Sequence, residues 1–204
     1  MILQKHDILN LDRQYRIHLI NHLSGVKGAH LIGTRSNDGI SNLAIFNSVC
    51  HVGANPASMG FLLRPITVER NTHSNIMENG AFTINHVSSQ FIQDAHQSSA
   101  KFPKDVSEFD HLNFTEEYVS DFVAPIVQES HISIGLTFEE KHEIALNGTI
   151  FMVGLIDFIK LNDSLIEETG HLAFGPHNSV GVSGLDTYYE LKRIARETHA
   201  KVSK

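Results

Sequence analysis

SNLAIFNSVCHVGANPASMGFLLRPITVERNTHSNIMENGAFTINHV, residues 41–87, decides how the rest of the chain is read. It opens with an apolar strand, SNLAIFNS (41–48), and continues through a second, MGFLLRP (59–65). A capped helix, RNTHSNIMENG (70–80), and a third strand, AFTINHV (81–87), follow. Asn71 is the expected N-cap of the helix and Gly80 its left-handed stop. This order gathers small polar side chains, strand-edge backbone amides and two arginines, Arg64 and Arg70, into one short span.

Working outward, Asp12 caps a first helix whose apolar positions Tyr15, Leu19 and Leu23 recur at helical spacing, with Gly25 as its end. That helix is expected to lie over one end of a sheet. A strand at 29–35 and another at 40–51 flank Asn37-Asp38-Gly39, a tight hairpin turn. Asn55-Pro56 breaks the second strand, and the apolar run 57–64 predicts a third, buried on both faces. Ser88 or Ser89 caps a helix at 90–97. Residues 98–125 lose all periodicity and read as a long excursion with short helical turns, of the kind that covers a ligand site.

Two β-rich segments, 126–141 and 149–161, are expected to pair across a turn at Asn147-Gly148. Asp186 or Thr187 then caps an expected C-terminal helix at 188–201, with Lys192, Arg193 and Arg196 on its exposed side. Strands in hairpin order with helices at the start, middle and end predict a mainly β fold with helices: a closed, antiparallel, Greek-key-like barrel wrapped by helices. At 204 residues the expectation is one domain, 1–204, able to bury a substantial core.

Composition narrows the classes. The chain is 41% apolar and 19% charged, as in ordinary globular proteins, and no apolar run approaches the roughly 20 residues that span a bilayer. Its first 14 residues mix charges into the apolar positions, unlike a secretory signal. Cys50 is the sole cysteine, so an internal disulfide and any multi-cysteine metal site are excluded, and a cytoplasmic location is expected. A formal charge of −7 opposes binding to a nucleic-acid backbone. Fourteen histidines raise the question of a metal, but His18 and His22 at i, i+4 lack a third ligand and the HExxH pattern, so no metal site is expected.

SNLAIFNS, MGFLLRP, RNTHSNI, FTINHV and GLDTYY (184–189), in this order and spacing, resemble the flavin reductase-like, FMN-binding split-barrel family over most of the chain. The resemblance implies an FMN site, with FAD or riboflavin as alternatives. It places the isoalloxazine and ribityl chain along Asn42, Leu43, Ala44, Ile45, Phe46, Asn47 and Ser48. Arg64 and Arg70 fit the phosphate, with Asn71, Thr72 and Asn75 as second-rank candidates at the same end. Taken singly, a strand-end asparagine, a helix cap or a surface arginine has a structural role as its commoner explanation; their joint order favours a site.

The same resemblance implies hydride transfer from NADH or NADPH to flavin N5, which needs no protein nucleophile, so no catalytic acid or base is named. No G-x-G-x-x-G fingerprint occurs, and any nicotinamide must share the flavin cleft. Among His73, His86, His131 and His171, His86 is placed first as a ring contact, against a hydrogen-bonded structural role. Tyr188, Tyr189 and Phe174 are candidates to close the pocket. Homodimerisation and a monooxygenase partner fed with reduced flavin are also implied. The competing classes are an FMN electron carrier without nicotinamide activity and a barrel module that binds no flavin.

Overall fold

The computed structural model describes residues 1–175 and 178–202. Helices α1 (Lys5–Asn10) and α2 (Arg13–His22) come first, then strands β1 (Lys27–Gly28), β2 (His30–Arg35), β3 (Ser41–Phe46), β4 (Cys50–Ala54) and β5 (Ala57–Leu63). Helix α3 (Asn71–Asn79), strand β6 (Ala81–His86) and helices α4 (Ile92–Gln97) and α5 (Glu108–His111) follow. Short strands β7 (Glu116–Glu117) and β8 (Ile126–Val127) lead to the long hairpin of β9 (Ile132–Ile144) and β10 (Thr149–Leu161). Strands β11 (Val180–Ser183) and β12 (Thr187–Glu190) end the regular pattern.

The principal sheet has seven antiparallel strands in the order β3-β2-β6-β9-β10-β5-β4. The fold is thus mainly β with helices, as expected, but the barrel is not closed: the ladder ends at β3 and β4, which do not pair. Its cause lies at residues 47–49, where the strand expected at 40–51 breaks. Asn47 Nδ2 donates to the Gly184 carbonyl at 2.5 Å. Ser48 Oγ accepts the Leu62 N–H at 3.1 Å and donates to the Leu62 carbonyl at 3.0 Å. Side chains therefore occupy partners that a continuous ladder would need, and the outer edge of β3 stays open.

Strand β2 divides the core. Leu31 packs with Leu43, Val87 and Val180 on one face, while Ile32 joins Phe61, Phe82 and Ile84 on the other. Each such side chain contributes roughly 1.5–3 kcal/mol through burial. Burial on both faces, expected at 57–64, is found in β2 and β6 instead; in β5, Leu62 remains 39% exposed.

Local chemistry explains the element ends. Asp12 caps α2, accepting from the Gln14 and Tyr15 amides at 2.9 and 3.0 Å. The helix buries no residue, so the expected packing over the sheet is not seen; it leans through His22 on Gly184. Helix α3 ends at Gly80, whose φ of 65° suits glycine. Its N-cap is Arg70, however, and Asn71 is the first helical residue. The largest correction is at the C-terminus. The helix expected at 188–201 is absent: Thr187, Tyr188 and Tyr189 extend as β12 and pair with β11, while 191–202 carry no regular structure. Gly184 at φ 63° turns the chain back, and the β-branched and aromatic residues beyond it favour the strand over the cap that Asp186 or Thr187 offers. Arg193 and Arg196 reach Glu167 at 2.7 and 2.6 Å, tying the tail to the body.

Candidate functional site

A cavity of about 710 Å³ opens along the free edge of β3. Asn42, Ala44, Ile45, Phe46, Asn47 and Ser48 form one wall. Arg64 at the end of β5 and Arg70, Asn71 and Thr72 at the start of α3 form one end. Residues 98–102, Glu108, the β11–β12 turn with Leu185 and Asp186, and Tyr188 on β12 continue the boundary. The break after Phe46 and the sharp β11–β12 turn place strand-edge backbone, cations and an apolar surface around one space.

A buried polar network supports the cationic end. Asn42 Nδ2 lies 3.2 Å from Thr72 Oγ1 and 3.4 Å from Thr34 Oγ1, and Asn75 Nδ2 donates to Thr34 Oγ1 at 3.1 Å. Asn42, Thr72, Asn75 and Thr34 are all buried, so these bonds hold the first turn of α3 against β2 and β3. Beside them, the Arg70 guanidinium has a buried Nε with no hydrogen-bond partner among the described residues. A buried cationic donor without an acceptor, next to helix amides and the Thr72 hydroxyl, suits an anionic group such as a phosphate.

Three of the thirteen expected site residues lie elsewhere. Leu43 turns its side chain into the core, and its backbone N–H donates to Glu108 Oε2 at 2.8 Å. Asn75 acts beneath the cavity through Thr34. His86 lies off the cavity, its ring stacked on Phe174 at 5.8 Å and edge-on to His30 at 4.6 Å. Burial lowers the His86 pKa to about 4, and burial, with His86 alongside, holds His30 well below the usual histidine range. Both rings are neutral packing elements near pH 7. Among the pocket-closing candidates, Tyr188 lines the cavity and receives His96 Nδ1 within 3.0 Å of its hydroxyl; Phe174 and Tyr189 do not line it.

Sequence reasoning missed Lys27, His96, Lys101, Phe102 and Glu108, all on the cavity wall. Most lie in or beside the aperiodic stretch 98–125, whose only signal was its length. Glu108 is 4% exposed, and burial raises its carboxyl pKa against the opposing effect of the Leu43 amide. No three His, Cys, Asp or Glu side chains converge as metal ligands among the described residues; His18 and His22 engage Gln14 and the His18 carbonyl, each at 2.7 Å.

Comparison with known proteins identifies the family and the fold. A family model described as flavin reductase like domain matches residues 25–176. A protein from Shewanella frigidimarina NCIMB 400, proposed to be a flavin reductase with a split barrel domain, is 42% identical, with a TM-score of 0.94 over 98% of this chain and 100% of its own. Component B of nitrilotriacetate monooxygenase from Bacillus cereus shares the fold at 15% identity and a TM-score of 0.84, over 97% and 98% of the two chains. Flavoredoxin of Desulfovibrio vulgaris (Miyazaki F) shares it at 22% identity and 0.73, over 85% and 91%.

Proposed function

The chain belongs to the flavin reductase-like family, and from that premise we propose that it binds FMN in the β3 cavity and reduces it with NADH or NADPH. The observation that carries the reading is the Arg70 end of the cavity: a buried guanidinium Nε lacking an acceptor among the described residues, beside Thr72 and Asn42, and continuous with the Ala44–Phe46 wall. The residues present fit the group. Arg70 and Arg64 would hold the phosphate, Thr72 and Asn71 would donate to it, and Ala44, Ile45 and Phe46 would face the ring. Small Ala44 lets a planar ring approach the strand.

Bound FMN would supply a ring that accepts hydride from the nicotinamide at N5. The chain's own task is to orient that ring, exclude water from one face and leave the other open. Reduced flavin released or passed on would serve a monooxygenase partner in the cytoplasm. Among the described residues no helix is long and apolar enough to cross a membrane. The working unit is a homodimer, because α2 leaves Tyr15, Ile17 and Ile20 exposed for a second copy to cover.

Purified protein titrated with FMN is expected to bind it and to lose the flavin absorbance when NADH or NADPH is added anaerobically. Failure to bind any flavin would remove the site reading. Binding without bleaching by either nicotinamide would instead favour an electron carrier.

A further inference from the structure

Glu108 is a buried carboxyl on the cavity wall that this reading does not use. It begins α5, within the excursion that borders the cavity, and its Oε2 accepts the Leu43 N–H from the open edge of β3 at 2.8 Å. Beyond the Leu43 amide and its own backbone N–H, no Lys, Arg or hydroxyl donates to the carboxylate among the described residues. A carboxyl this buried and without a cation is destabilising unless another donor reaches it. Glu108 lines the cavity, where a ligand can supply that donor.

Position along β3 identifies the donor. Asn42 is tied to Thr72 at the cationic end, and Ala44 to Phe46 form the apolar wall. Leu43 lies between them, and one strand residue advances about 3.3 Å. A ligand with its phosphate at Arg70 and its ring on the wall must pass its connecting chain across the level of Leu43. In FMN that chain is a ribityl group carrying hydroxyl donors. We propose that Glu108 is a ligand-binding residue that accepts hydrogen bonds from the ribityl hydroxyls of the flavin. The proposal rests on the FMN reading of the cavity. It gives the site three graded levels: guanidinium for phosphate, carboxylate for polyol, apolar strand for ring.

The test compares FMN, riboflavin and lumiflavin, which keeps the ring but lacks the ribityl chain, by fluorescence titration at pH 7. Glu108→Ala is expected to weaken FMN and riboflavin alike, by roughly 10- to 100-fold, the size expected of a hydrogen bond to a charged group. Lumiflavin affinity should stay unchanged. Glu108→Gln keeps an oxygen for the Leu43 amide and controls for folding, with circular dichroism of both variants matching the parent; it should show a smaller loss with the same selectivity. Equal loss for all three ligands, or no loss for any, overturns the proposal while leaving the flavin site standing. A parent protein that binds none of the three overturns both.

Discussion

Acid should destabilise this protein through the His30–His86 pair. His30 is buried and His86 half-buried, with ring centroids 4.6 Å apart, and Phe174 lies flat on His86. Burial takes His86 from 6.5 to about 4. In the folded state the ring is neutral across that interval, whereas in the unfolded chain it takes up a proton near its ordinary value. The unfolded state therefore binds more protons, and stability rises with pH across the window. The contribution is fully present above about pH 6.5 and is lost as pH falls toward 4. At 1.36 kcal/mol per pH unit this amounts to about 3 kcal/mol in all, with about 2 kcal/mol already lost at pH 5. His30 is lowered as well, first by burial and then by His86, and acts in the same direction. Glu108 opposes them, since burial raises its carboxyl and the native state binds that proton first.

Urea unfolding at pH 7, 6 and 5, followed by far-ultraviolet circular dichroism, measures the effect. With a slope near 2 kcal/mol per molar urea, the midpoint should fall by about 1 M between pH 7 and 5. His86→Phe preserves the stack on Phe174, removes one titrating ring and should flatten the dependence; His30→Phe/His86→Phe should flatten it further. An unchanged pH slope in both variants would refute the assignment.

Arg70→Ala should weaken FMN by roughly 10-fold or more while barely changing riboflavin, because only FMN carries the dianion; equal losses would move the phosphate elsewhere. Thr34→Val leaves the buried Asn75 amide without its acceptor and is expected to lower stability by about 2 kcal/mol, a fall in Tm of about 4–8 °C; a fall below about 1 °C would show the network to be dispensable. Gly184→Ala must hold φ near 63° and drive a methyl group into the His22 ring. A loss of about 1–3 kcal/mol is expected, with weaker FMN binding as the β11–β12 turn shifts; a neutral outcome in thermal melting would contradict the left-handed turn and its contact with α2.

Signals that are local in sequence were legible. The Asp12 cap, the left-handed glycines at 25 and 80, the turn after Ser36 and the pairing of 149–161 with the preceding segment depend on a few adjacent residues. Ten of the thirteen expected site residues line one cavity because they fall on or just after β3, just after β5 and at the start of α3, which the chain delivers in order. The exceptions have a shared cause: side-chain direction. Leu43 points into the core, away from Asn42 and Ala44, Asn75 turns to Thr34 on β2, and His86 ends β6 on the side facing His30. The C-terminal helix failed because a capping signal was outweighed by pairing with β11, a partner visible only in three dimensions.

By itself the sequence determined most element types before the C-terminal strands, the order of the β3 to β6 segment and the family resemblance, because caps, turns and hydrophobic periods are properties of neighbouring residues. Only the tertiary structure decided that the sheet stays open at β3, that Glu108 and Tyr188 border the same space as Arg70, and that His86 packs on Phe174 outside it. Those outcomes depend on contacts between residues tens of positions apart, where packing and the need to satisfy buried polar groups override what any short stretch prefers.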